Sequence, residues 1–278
     1  MPKKQPIIAL VYDFDKTLST DDMQNFSFIP AINMDPETFW GSTKALTDKT
    51  GMEKILSYMY VMIEKCKEKG IPLTKEYLQR LGKEVKLYDG VTTWFSRINS
   101  YAEELGVKVE HYIVSSGNKE IIEGTSIAKE FKEIYACEFL YGNDGIAIWP
   151  KVTINYTSKT QFLFRISKGA LKRTDDVKVN SRLDSHRIPF ENIMYLGDGL
   201  TDIPCMTLVK EKGGKSIAIY PAGQKEKVSF LFEDERVNYV CRGDYSSNSN
   251  LEKIVKLFIQ QISISDTLLR KEIESYNR

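Results

Sequence analysis

Two aspartates two residues apart, Asp13 and Asp15, close an apolar run at residues 7–11 in the stretch YDFDKTLST. Carboxylates held that close at the end of a buried strand repel one another and lose hydration, so the pair calls for a shared cation. Three later stretches bring groups suited to the same chemistry: VSSG at 114–117, SKTQFLF at 158–164 and GDGLTD at 197–202. Asp198 and Asp202 add two carboxylates, and an all-oxygen set of this kind fits Mg²⁺ better than a softer metal. Ser115 with the backbone N–H groups of Ser116 and Gly117, read as opening a helix, forms an anion site. Lys159, near the head of its own helix, brings a cation to the same place. Carboxylate, metal, helix terminus and lysine together suit phosphoryl transfer, in which charge spreads over three equatorial oxygens.

Each stretch alone has an ordinary structural reading: an acidic turn, an N-cap serine, a solvated lysine with Lys151 and Lys168 as neighbours, and a Gly-Asp-Gly turn. Their joint order, three of them directly after an apolar strand candidate, separates them from accident.

The elements that must position these residues are legible in outline. Short apolar runs at 7–12, 111–114, 134–140, 193–196 and 216–220 alternate with helical stretches, which predicts an α/β fold: a Rossmann-like, mainly parallel sheet with helices on both faces. In such a sheet ligands bind beyond the carboxyl ends of the strands, where Asp13, Asp15, Ser115, Asp198 and Asp202 would gather. Residues 21–88 interrupt the alternation with helix signals alone. Asp35-Pro36-Glu37 opens one helix, residues 52–69 carry a second stopped by Gly70 and Pro72, and Thr74 caps a third running to about Val85. The expected organisation is a catalytic core at 1–20 and 89–278 with an all-helical cap at 21–88. Within the core, a helix spans 91–105 and a hairpin 141–156, with turns at Asn143-Asp144-Gly145 and near Trp149-Pro150. Residues 170–189 read as an irregular excursion, 251–262 as a helix, and 268–278 as its continuation or a frayed end.

Composition excludes several classes. With 278 residues, 28% of them charged and a formal net charge of +1, the chain has no global field to draw nucleic acid or an anionic membrane. The apolar run after Lys3 and Lys4 is too short for a signal peptide, and no stretch reaches the length of a membrane span, so a cytoplasmic location is expected. Cys66, Cys137, Cys205 and Cys241 form no C-x-x-C pair and read as reduced, structural residues. His111 and His186 have no evident catalytic partner and read as structural.

DFDKT, VSSG, a lysine at the head of a helix and GDGLTD, in this order, resemble the haloacid dehalogenase superfamily of phosphohydrolases over residues 7–20 and 90–240. The resemblance implies that Asp13 is the nucleophile, forming an aspartyl-phosphate, and that Asp15 is general acid and then general base. It implies Mg²⁺ held by the Asp13 carboxylate, the Asp15 backbone carbonyl and Asp198, with Thr17 and Asp202 in support. Ser115, Ser116, Gly117 and Lys159 would hold the phosphoryl group. Asp15-Lys16-Thr17 also resembles the phosphorylated triplet of P-type ATPases, but those need membrane spans, and the register favours Asp13. An aspartate at position 15 points away from the dehalogenase branch, and the phosphonate branch, with Lys44, Lys49 or Lys54 as its cap lysine, ranks low. The phosphoserine phosphatase branch is nearest, yet Asp22, flanked by Asp21 and Gln24, stands where that branch has a glutamate. The resulting expectation is a phosphatase acting on a small phosphorylated metabolite. A phosphotransferase or mutase on the same scaffold and a non-catalytic phosphate or Mg²⁺ binder are the alternatives. Of the cap's Phe26, Phe28, Phe39, Trp40, Tyr58, Met59, Tyr60 and Met62, most read as helix core and one or two as facing the site.

Overall fold

The computed structural model describes residues 5–182 and 186–276; Lys3, Lys4, positions 183–185 of the expected excursion and the last two residues of the expected tail lie outside the described residues. The chain begins with β1 (Ile7–Tyr12) and then runs through five helices: α1 (Met23–Phe26), α2 (Phe28–Ala31), α3 (Pro36–Thr50), α4 (Lys54–Glu68) and α5 (Lys75–Leu81). The alternating part follows with α6 (Val91–Glu104), β2 (Lys108–Asn118), α7 (Lys119–Glu123), β3 (Glu133–Tyr141), β4 (Ala147–Val152), α8 (Tyr156–Lys168) and α9 (Asp176–Asn180). It ends with β5 (Ile193–Gly197), α10 (Ile203–Glu211), β6 (Lys215–Tyr220), α11 (Glu226–Glu233), β7 (Tyr239–Arg242) and α12 (Asn250–Tyr276).

The strands form one seven-stranded sheet in the order β4-β3-β2-β1-β5-β6-β7, parallel except for the β3–β4 pair. From β1 the chain adds β2 on one side and later returns to add β5 on the other, so order reverses beside β1 and opens a crevice there. Tyr12 of β1 packs against Phe95 of α6, while Tyr135 of β3 stacks on Phe162 of α8. Tyr12 is level with Ile113, and Tyr135 with the next residue, Val114, so the two tyrosines point to opposite faces and helices cover both. Covered twice, residues 8–12 are fully buried, which is why they read as one uninterrupted apolar run. α6 buries Val91, Trp94, Phe95, Ile98 and Ala102 at helical spacing.

His111 is structural, as expected: Nδ1 pairs with the Tyr12 hydroxyl at 3.0 Å and Nε2 with Asn99 Oδ1 at 3.0 Å. The Trp94 indole N–H donates to the same Tyr12 oxygen. His186 pairs with Ser167 Oγ at 2.9 Å, and all four cysteines are free and buried.

The caps explain the boundaries of the helical segment. The Asp35 side chain accepts the Thr38 N–H, with Pro36 in the first turn and Gly51 left-handed at the end of α3. Glu53 caps α4, so that helix starts two residues later than the pattern suggests. Thr74 caps α5, which gives way after Leu81 to a single 3₁₀ turn.

Three expectations are corrected. Trp149 and Pro150 lie inside β4 rather than at a turn, a place an edge strand allows proline. Residues 176–180 of the excursion form a helical turn capped by Asp175. β7 was not expected; four residues are too few for a periodic signal. The two C-terminal pieces are one helix, α12, which bears out the continuation rather than the frayed end. No described helix is long and apolar enough to cross a membrane.

Candidate active site

The site is built where β1 and β5 end side by side. The Asp13 N–H donates to the Leu196 carbonyl at 2.8 Å, extending the β1–β5 ladder by one step and placing Asp13 beside the Gly197-Asp198 turn. Asp13, Asp198 and Asp202 each offer a carboxylate oxygen within 4.8 Å of the others. Lys159, on the first turn of α8, is fully buried behind them; its Nζ donates to Asp13 Oδ1 at 2.9 Å and Asp202 Oδ1 at 2.7 Å. A buried ammonium without carboxylates would be expelled or neutralised, so the lysine and the two aspartates specify one another's place.

Asp202 has both oxygens committed. Oδ1 accepts from Lys159 and from the Tyr195 hydroxyl at 2.6 Å, and Oδ2 accepts the Asp198 and Gly199 N–H groups at 3.2 and 3.3 Å. It orders the turn that aims Asp198. A Cβ on Gly197 would come within 2.5 Å of the Asp202 carboxyl carbon, so glycine is required there for this arrangement. Tyr195 went unrecognised in the sequence, where a tyrosine inside an apolar strand reads only as core.

Asp15 turns away from that cluster: its Oδ1 accepts the Met23 N–H at 2.7 Å. Its carboxyl is held well above the usual range by burial, then by the nearby charges of Asp22 and Asp13. Burial likewise raises Asp13 to about 6, with Lys159 opposing and Asp202 adding to the rise. Asp198 is raised well above normal by burial and by its carboxylate neighbours Asp202 and Asp13. Burial would lower Lys159, but Asp13 and Asp202 keep it above its ordinary value. Burial and mutual repulsion thus hold all three carboxyls above the usual range, and an oxygen-liganded divalent cation fits this donor set.

The VSSG reading needs correction. β2 runs on through Asn118, with a register shift against β3 between Val114 and Asn118, so Ser115, Ser116 and Gly117 sit on irregular strand and not at a helix start. The helix that follows, α7, has five residues. Ser115 Oγ is buried and accepts the Gly117 N–H at 3.0 Å. Ser116 and Gly117 line the cavity, and the Ser116 hydroxyl has no protein partner. Thr17 is buried with its hydroxyl unpartnered, while its carbonyl accepts from Tyr245.

A cavity of about 290 Å³ opens over this cluster. Asp13, Asp15, Asp198, Ser116 and Gly117 form one side, and Gln24, Trp40, Ile55 and Tyr58 of the helical segment form the other. Trp40 and Tyr58 are thus the two aromatic residues of that segment that face the site, while Phe28, Phe39, Met59 and Met62 are core. Gln24 Nε2 donates to Asn118 Oδ1 and the Tyr58 hydroxyl to the Ser116 carbonyl, tying the helices to β2. A larger cavity of about 690 Å³ lies at the amino end of β1. Its cations Lys168 and Lys178 donate to backbone carbonyls and Arg187 to Glu110, which marks them as structural.

A mostly parallel sheet with order reversing beside β1, and carboxylates gathered at that point, define a Rossmann-like α/β core of the haloacid dehalogenase kind. The haloacid dehalogenase-like hydrolase model matches residues 10–207, and the chain belongs to that family of enzymes. It is 27% identical to an uncharacterized protein of Borreliella burgdorferi, over 90% of this chain and 96% of that one. Among solved structures it resembles a HAD family hydrolase from Salmonella enterica serovar Typhi, with TM-score 0.57 and 14% identity over 92% of this chain and 73% of that chain. It also resembles a substrate-bound phosphoserine phosphatase, with TM-score 0.56 and 14% identity over 92% and 99% of the two chains. At that identity the structural matches speak for the fold, which is the α/β fold of phosphoserine phosphatase.

Proposed function

We propose that the protein is a Mg²⁺-dependent phosphatase that hydrolyses a small phosphomonoester through a phosphorylated Asp13, with residues 21–88 acting as a cap over the site. The observation that carries this reading is the fully buried Lys159 joining Asp13 to Asp202 beside Asp198. Lys159 holds Asp13 Oδ1, leaving Oδ2 to attack phosphorus as the bond to the leaving oxygen breaks. Asp15, whose surroundings favour the protonated form, gives its proton to that oxygen. It then takes a proton from water, whose oxygen attacks phosphorus and releases Asp13 and inorganic phosphate. Asp13, Asp198 and the Asp15 carbonyl would hold Mg²⁺, with Asp202 aiming Asp198. When bound, the ion neutralises charge developing on the phosphoryl oxygens. Ser116 and the backbone around Gly117 face the same oxygens, and Ser115 steadies that backbone from behind. Free buried cysteines agree with a cytoplasmic location.

Incubation with p-nitrophenyl phosphate and Mg²⁺ tests the reading. Phosphate release, stopped by chelation and accompanied by a trappable phosphoenzyme absent from Asp13→Asn, is expected. Failure of release and of trapping across a panel of phosphorylated metabolites would overturn it.

A further inference from the structure

Resting on the phosphatase reading above, we infer that the cavity selects phosphomonoesters whose phosphate is their only anion, and discriminates against alcohols that carry a carboxylate. The inference comes from where the hydrogen-bond donors of the cavity already point. Lys16, the one cation among the described residues lining it, donates to Asp22 Oδ2 at 2.6 Å and lies 3.8 Å from Asp21. The Trp40 indole N–H donates to Asn25 Oδ1 at 3.0 Å. Gln24 Nε2 donates to Asn118 Oδ1 at 3.0 Å, and the Tyr58 hydroxyl to the Ser116 carbonyl at 2.7 Å. Lys159, the other nearby cation, is spent on Asp13 and Asp202.

Each long donor side chain around the leaving group therefore serves the protein. What the cavity offers in return is apolar and aromatic surface from Ile55, Trp40 and Tyr58, carboxylate oxygens of Asp15 and Asp22, and the short neutral side chains of Ser116 and Thr201. A carboxylate on the leaving alcohol would find no free cation there, since Lys16 already balances Asp22, and would be buried unpaired. A neutral or ammonium-bearing alcohol meets no such penalty.

Two substrates that differ only by a carboxylate provide the test: O-phosphoethanolamine and O-phosphoserine, assayed with the full chain and Mg²⁺ beside p-nitrophenyl phosphate. A kcat/KM at least tenfold higher for phosphoethanolamine is expected. In Asp22→Ala, where Lys16 is released, the ratio should move towards phosphoserine by about tenfold, whatever the variant does to turnover of p-nitrophenyl phosphate. Equal or faster hydrolysis of phosphoserine by the native chain, or an unchanged ratio in Asp22→Ala, would overturn the inference. Loss of all three activities would instead count against the phosphatase reading.

Discussion

Two buried charge clusters sit at opposite ends of the central strands and behave in opposite ways. At the amino end of β2, Glu110 is nearly inaccessible, yet it accepts two bonds from Arg187 and one from Tyr112, with Lys108 and Lys132 close by. Burial opposes its ionisation, but the Arg187 and Tyr112 bonds win and lower its pKa to about 2. At the carboxyl ends, Asp13, Asp15 and Asp198 all move the other way. One cluster has its charge balanced by protein and is structural. The other keeps its carboxyls above the usual range through burial and mutual repulsion, the pattern found where residues do chemistry.

Four substitutions or conditions break or sharpen this contrast. The largest effect belongs to Asp13→Asn, which should lower kcat by at least about 10³-fold while the fold, followed by circular dichroism, is kept. Next is Lys159→Met, which strands two buried carboxylates: a loss of roughly 3–5 kcal/mol in urea unfolding at pH 7 is expected, with activity falling alongside. Arg187→Met tests the balanced cluster. It should cost about 2 kcal/mol by the same measurement, because a bond to a charged group is lost, and should leave kcat within about twofold.

The smallest effect separates the clusters by sign. Asp13 has a folded pKa raised to about 6, so its charge destabilises the native state above that pH and the penalty fades as pH falls towards its unfolded value. Metal-free Asp13→Asn should therefore exceed the native chain in stability at pH 7, by about 1 kcal/mol or a Tm gain of roughly 2–4 °C, and the gain should vanish near pH 4. Glu110, lowered to about 2, and His111, lowered by burial to about 3, work in the opposite direction. Their stabilisation is complete above their unfolded values and is lost on acidification, His111 from about pH 6.5 down and Glu110 from about pH 4.5 down. Thermal melts from pH 7 to pH 3 in chelator follow both slopes, and a single shared slope would contradict the contrast.

The sheet and the carboxylate cluster were legible because local pattern sets them. Residues 7–11 are apolar at every position, which only a strand covered on both faces needs, and the aspartates fall directly after it. Lys159 was legible through order along the chain. Ser115 was misread in its local structure because the register shift that carries β2 on to Asn118 depends on β3, a pairing that no window around VSSG contains. Tyr195 and Ile55 were missed, Gln24 entered only as a neighbour of Asp22, and Trp40 and Tyr58 were recognised only as members of an aromatic set. Which way a side chain points from a helix or strand is decided by what packs on it, and that information lies far away in the chain.

The bond from the Met23 N–H to Asp15 joins the two halves of the cavity, since Met23 begins α1 and Asp15 belongs to the turn after β1. A Cβ on Gly117 would strike both the Met23 methyl and the Asp15 carboxyl, so the three groups fit together as a single close-packed contact. The aim of the Asp15 carboxyl is therefore set by α1 as well as by its own turn. A displacement of the helices that let a substrate in or a product out would release the same bond, so docking and arming would be one event.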